Sequence, residues 1–219
     1  MGETVIHVQR DARRLLYAVS EYTGSSGEHP WLKEFVLSAI VCLGTERGTF
    51  REYDPAPSLY SFRGVKMFAM LSQEALADLD VLFRAGLLEK LLLNTRHYST
   101  ITAVRATPQG REYLDRKGVL TPEDRAAVDA LIRCGKCGKL YDFPVFREEI
   151  SSTNTETGDN TSDVRVRLVM SRVCPHQTKG RHRFSDRWHE SCRGKVDRLD
   201  SFFGIGSVSY AGTAFFIED

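Results

Sequence analysis

Cys134-Gly135-Lys136-Cys137-Gly138 is the part of the sequence that could do chemistry most directly. Two thiolates separated by two residues can grip one ion, and the flanking glycines let backbone amides turn toward sulfur. Cys174 lies beyond a stretch that reads as a hairpin: a strand over 140–150, a polar loop over 151–162, then Val164, Val166 and Leu168 alternating with Arg165 and Arg167. Such a hairpin returns Cys174 to the base where Cys134 and Cys137 sit. For a fourth ligand Cys192 is the natural choice, because a closed structural zinc site prefers four ligands and thiolates suit zinc. His176, His182 and His189 compete with it. Cys192 also has an apolar alternative, since Trp188, Cys192, Val196 and Leu199 fall at helical spacing and could form core. The expected cofactor is therefore Zn2+ in a structural role. An open catalytic site would need three ligands, a water and a nearby general base.

A second set of residues suits phosphate contact. The stretch Arg172 to Arg198 contains Lys179, Arg181, His182, Arg183, Arg187, Arg193 and Lys195, with Phe184 and Trp188 interleaved. Cations alternating with aromatics fit a nucleic-acid strand. From Val164 to Arg198 ten bases face three acids, whereas from Asp142 to Asp163 six acids face Arg147 alone. The bland alternative is a basic face whose partner is the protein's own acidic loop.

The rest of the chain must position these groups. It has 219 residues, 42% hydrophobic and 27% charged, with net charge +1. That is ordinary globular composition, and it excludes a uniformly basic nucleic-acid coat. No apolar run reaches the roughly 18 residues of a spanning helix. The N-terminus also lacks the hydrophobic core of a signal peptide. The chain therefore reads as an intracellular protein, cytoplasmic or at the nucleoid or nucleus. In that setting its odd number of cysteines, five with four of them beyond residue 133, argues against a disulfide framework. Cys42, inside Val41-Cys42-Leu43, reads as a buried small hydrophobe.

The first 120 residues read as helical with one hairpin. Val8, Leu15, Leu16, Val19 and Tyr22 recur at helical spacing, and a second helix is expected over 31–43. The segment 59–70 fits helix or strand. Ser72 is a good N-cap for a helix whose apolar face is Leu76, Leu79, Leu82 and Phe83, and Gly86 suits its C-terminus. Strands are expected over 87–93 and 100–106, around a polar tip at 94–99. Thr107-Pro108 then starts another helix, and Thr121-Pro122-Glu123-Asp124 one more, running to about Arg133.

Phe83-Arg84-Ala85-Gly86-Leu87-Leu88 and Ala106-Thr107-Pro108-Gln109-Gly110-Arg111-Glu112-Tyr113-Leu114 carry a resemblance to the winged helix-turn-helix superfamily, in particular MarR- and PadR-type regulators, over about residues 30–117. The resemblance implies that the helix over 72–85 enters a DNA groove and that the tip near Arg96 and His97, with Arg105, contacts nucleic acid. The sequence departs from the pattern on that helix. Its polar positions are Gln73, Glu74, Asp78, Asp80 and Arg84, and carboxylates are repelled by the duplex. A winged helix followed by a zinc ribbon is similar in layout to archaeal transcription factor E, although a second Cys-x-x-Cys is missing here.

The expected fold is α+β: a winged-helix domain over 1–120, a linker helix over 121–133 and a zinc-ribbon-like β domain over 134–219. The expected function is a transcription-associated regulator that binds nucleic acid, DNA first, through Arg96, His97, Arg105, Lys179, Arg181, Arg183 and Arg187. The alternative is a non-enzymatic adaptor inside a protein complex. A homodimer is open, and no membrane partner is expected. No P-loop, Gly-x-Ser-x-Gly, His-Glu-x-x-His or dinucleotide fingerprint points to an enzyme.

Overall fold

The computed structural model describes residues 8–24, 31–62, 65–95, 98–152, 163–174 and 197–199. Helix α1 spans Arg10–Gly24, and its apolar face (Ala12, Leu15, Leu16, Val19) is fully buried. A two-residue strand, β1 (Leu32–Lys33), leads into α2 (Glu34–Glu46), whose Leu37, Ile40, Val41, Cys42 and Leu43 are buried beside it. Cys42 is a core residue, as its apolar neighbours require.

The segment that fitted either helix or strand is a hairpin. Strands β2 (Ala56–Phe62) and β3 (Val65–Leu71) pair antiparallel from Ala56↔Leu71 to Phe62↔Val65. Helix α3 (Gln73–Arg84) follows at once. The Ser72 hydroxyl accepts from the Ala75 N–H at 3.2 Å, satisfying a first-turn amide. Gly86 ends the helix at φ +69°, a conformation that glycine adopts without a Cβ clash.

Strands β4 (Leu88–Thr95) and β5 (Tyr98–Ala106) form the next hairpin, and helix α4 (Pro108–Asp115) follows it. The two sequence motifs around them interlock. The Thr107 hydroxyl donates to the Gly86 carbonyl at 2.7 Å and accepts from the Gly110 N–H at 3.0 Å. The Thr107 N–H donates to the Leu87 carbonyl at 3.1 Å. The start of α4 therefore rests on the turn that closes α3.

Helix α5 (Pro122–Ile132) opens with a capping box between Thr121 and Asp124. It covers the span expected as a linker, but it lies in the helical core. Val128, Leu131 and Ile132 are fully buried in the same cluster as Leu15, Leu16 and Leu37. A charge network ties it to α1. Arg14 Nε donates to Asp124 at 2.8 Å, Arg14 Nη1 to Asp11 at 2.8 Å, and Arg10 Nε to Asp124 at 2.9 Å. Arg14 also reaches the Thr49 carbonyl, and Asp11 accepts from the Glu52 N–H at 2.9 Å. Asp11, Arg14 and Asp124 are all buried, so each charge is matched where water cannot reach it.

Strands β6 (Val145–Ser152), β7 (Asp163–Arg172) and β8 (Asp197–Leu199) make the last sheet, with β7 in the centre. The strand expected from residue 140 begins regularly only at Val145. Before it lie isolated bridges, Arg133↔Leu140 and Asp142↔Val173, and then Pro144, which has no N–H to offer a ladder. In register, Glu148 stands opposite Arg167. The fold is thus mixed helix and sheet, α+β, and among the described residues the strands form three small antiparallel sheets ordered β1-β5-β4, β2-β3 and β6-β7-β8. Among the described residues no helix is long and apolar enough to cross a membrane.

Candidate metal centre

The C-terminal end of α5 feeds directly into the Cys-x-x-Cys turn. The Cys134 N–H donates to the Lys139 carbonyl at 2.8 Å, and the Gly138 N–H donates to the Cys134 carbonyl at 2.7 Å. Gly138 sits at φ +69°, which reverses the chain so tightly that residues 133 and 140 bridge. The returning segment is held on both sides. On one side the Tyr141 N–H donates to the Ile132 carbonyl at 2.7 Å. On the other, Asp142 and Val173 exchange backbone bonds of 2.9 and 2.8 Å. That second pair delivers Cys174 to the turn.

The sulfurs of Cys134, Cys137 and Cys174 all lie within 4.8 Å of one another, and Cys137 and Cys174 are 3.5 Å apart. A disulfide needs about 2.05 Å, so these are separate thiols. A tetrahedral site with metal–sulfur bonds of about 2.3 Å sets its sulfurs roughly 3.8 Å apart, a value between the 3.5 Å Cys137–Cys174 separation and the 4.8 Å within which all three sulfurs lie. The three cysteines could hold a metal ion. Cys134 and Cys174 are buried, and Cys137 is half-buried.

The surroundings favour the thiolate. Burial alone would push the Cys134 thiol up. The N–H groups of Lys136 and Cys137, with the thiols of Cys174 and Cys137, outweigh it and bring the group down to about 7. Around the sulfurs lies a shell of aromatic and cationic groups. Tyr141 packs against the cluster of Cys134 and Cys174, as Cys137 does. Its carbonyl accepts from the Tyr22 hydroxyl at 2.8 Å. Burial holds that phenol well above its usual range, with the Asp142 carboxylate adding to the effect. Arg133 donates to the Gly138 carbonyl at 3.1 Å and to Asp129 at 3.2 Å, and also pairs with Glu21. The Arg172 guanidinium stacks 4.4 Å from the Tyr141 ring centroid.

The convergence of Cys134, Cys137 and Cys174 matches the sequence reading. Cys192, His176, His182 and His189 lie outside the described residues, as do Lys179, Arg181, Arg183, Arg187, Arg96 and His97. Leu199 belongs to β8, paired with Met170, so the apolar spacing from Trp188 does not end in a helix there. Two cations expected on a nucleic-acid surface are engaged within the protein. Arg105 is paired with Glu89 at 2.7 Å and stacks 4.3 Å from the Trp31 ring centroid. Arg172, the first residue of the expected basic stretch, is buried. Its place two residues before Cys174 was the available signal. A guanidinium on the strand that carries a ligand can lock that strand to its neighbour.

No curated protein matches the chain. One family model does, over residues 11–160, from the first turn of α1 through α5 and the Cys134–Cys137 turn. With more than half of its length matched, the chain belongs to the uncharacterized protein MJ1567 family.

Proposed function

We propose that this protein is a zinc-clipped winged-helix regulator, associated with transcription, that contacts nucleic acid and works by binding. The observation that carries the reading is the sheet order β1-β5-β4. A short strand ahead of α2 pairs with the inner strand of a β4–β5 hairpin, and α3 runs into that hairpin through Gly86. In this reading α2 and α3 are the helix pair, β4–β5 is the wing, and β2–β3 is an insertion between the helices. Zinc is the metal that best suits a closed set of thiolates. Cys134, Cys137 and Cys174 would hold it, with Cys192 or one of His176 and His182 as fourth ligand.

Within this reading α3 is not the groove-reading element. Glu74 accepts from the Ser72 hydroxyl at 2.6 Å and from the Asp54 N–H at 3.4 Å, and Asp78 accepts from the Tyr53 hydroxyl at 2.8 Å. These carboxylates brace the loop before the β2–β3 hairpin and bring negative charge to the helix. Phosphate contact then falls to Arg96 and His97 at the wing tip and to Lys179, Arg181, Arg183 and Arg187.

A salt titration of binding to generic duplex and single-stranded DNA tests this. Phosphate contacts predict affinity that falls steeply with salt. Arg181→Glu with Arg183→Glu should weaken binding evenly across sequences. No binding at low salt removes the reading. A second reading, an adaptor that binds protein, is favoured by a cleft of about 170 Å³ between α2, α3 and the β4–β5 hairpin. Its walls include Leu76, Phe83 and Val104, with Glu34, Asp80 and Lys90 around them.

A further inference from the structure

We infer that Arg172 is the positioning residue of the metal centre: its guanidinium clamps the end of β7 onto the last turn of α5 and so sets where Cys174 meets Cys134 and Cys137. The inference rests on the three thiols being a metal site.

Arg172 Nη1 donates to the Leu131 carbonyl at 3.0 Å and to the Ala130 carbonyl at 3.3 Å. These carbonyls lie in the last turn of α5, where backbone acceptors lack intrahelical donors and the helix end is electronegative. Arg172 is 5% exposed, so the contact is made out of water. The flat face of the same guanidinium covers the ring of Tyr141, a residue that packs against the Cys134–Cys174 cluster. One side chain thus touches the helix turn from which Cys134 emerges and the ring of a residue packed on that cluster. Its own backbone lies two residues before Cys174. Alternation along an extended strand puts residues 172 and 174 on one side.

Backbone bonds also hold this end of β7, through the Asp142–Val173 pair and the Ser171 N–H to the Pro144 carbonyl at 3.1 Å, and both tie it to the segment before β6. Arg172 adds the hydrogen bonds to α5. Groups that orient metal ligands without touching the ion change affinity about 10–100-fold when removed. Arg172 has the placement for such a role, and lysine cannot reproduce it fully. An ammonium can donate to a carbonyl but cannot lie flat on the ring.

The test is a cobalt(II) titration of the full chain, read by the thiolate-to-metal charge-transfer absorption. Arg172→Met should lower cobalt affinity about 10–100-fold. At saturation its spectrum should reach wild-type intensity, because all ligands remain. Arg172→Lys should recover part of the loss. A purely structural role would lower the melting temperature of the metal-free protein and leave the affinity of the folded protein unchanged. If Arg172→Met fails to fold, Tyr141→Leu carries the test. It removes the stacked ring and keeps both carbonyl bonds, and it too should weaken cobalt binding. Wild-type affinity in the folded variants overturns the inference alone. Wild-type protein that takes up no cobalt overturns the metal site as well.

Discussion

Replacing Gly110 with alanine would put a methyl group where α4 rests on the end of the α3 turn. The new Cβ would lie 2.1 Å from the Leu87 carbonyl oxygen. Ordinary contact is near 3.5 Å, so the overlap is about 1.4 Å. Leu87 cannot move aside cheaply. Its N–H donates to the Leu82 carbonyl at 3.0 Å, and its own carbonyl accepts from the Thr107 N–H at 3.1 Å. Relief must come from lifting α4, which stretches the Thr107 bonds. Overpacking costs about 1–3 kcal/mol, and a strained hydrogen bond adds about 1 kcal/mol. Alanine returns about 1 kcal/mol as a better helix former than glycine. The net loss is about 2 kcal/mol, or a fall in Tm of roughly 4–8 °C for a chain of this size. Urea denaturation of Gly110→Ala, beside Gly135→Ala, where an added Cβ meets nothing within 4 Å, measures it. Helix propensity alone predicts the opposite sign. A neutral or stabilised Gly110→Ala protein would refute the argument that the Gly86–Leu87 and Thr107–Gly110 motifs form one junction.

The buried charge network yields further expectations. Asp124→Ala should cost about 3 kcal/mol in denaturant unfolding, the lower end for breaking a buried pair, because Arg14 keeps Asp11 and the Thr49 carbonyl. Arg10→Ala should cost under about 0.5 kcal/mol, since the Arg10 side chain is 54% exposed. Acid stability follows Asp124. Burial works against its ionisation, yet hydrogen bonds from Arg14, the Thr121 backbone and Arg10 prevail and hold the carboxyl below its usual range. A depressed folded-state value means stability that is present above about pH 3.9 and lost as pH falls through the folded value. Asp124→Asn should therefore flatten the acid limb of a stability–pH curve below about pH 4. An acid limb as steep as wild type would contradict the assignment.

The parts of the fold written in short spans were legible from sequence. Ser72, Thr107 and Thr121 cap their helices because a hydroxyl needs only the next three residues to find an amide. Gly86 and the Cys134–Gly138 turn are equally local. The thiol cluster was legible because hairpin logic returns a strand to its start. The β2–β3 hairpin was not, since an apolar, aromatic-rich run of this length fits both periods. The burial of α5 escaped notice because its partners stand far away in the chain. Arg14 and Asp124 are 110 residues apart, and nothing near either residue announces the pairing. The partners of Arg105 and Arg172 are not legible from the residues beside them. Trp31, Glu89, Tyr141 and the end of α5 reach them only through the tertiary fold.

The central claim is that three cysteines from two distant segments close on one ion, and elemental analysis with native mass spectrometry tests it most directly. Wild-type protein purified without chelator should carry one zinc ion per chain, and Cys174→Ser should lose it while retaining its helical signal. Zinc retained in full after Cys174→Ser, or a wild-type chain that stays metal-free when offered zinc, would contradict the account.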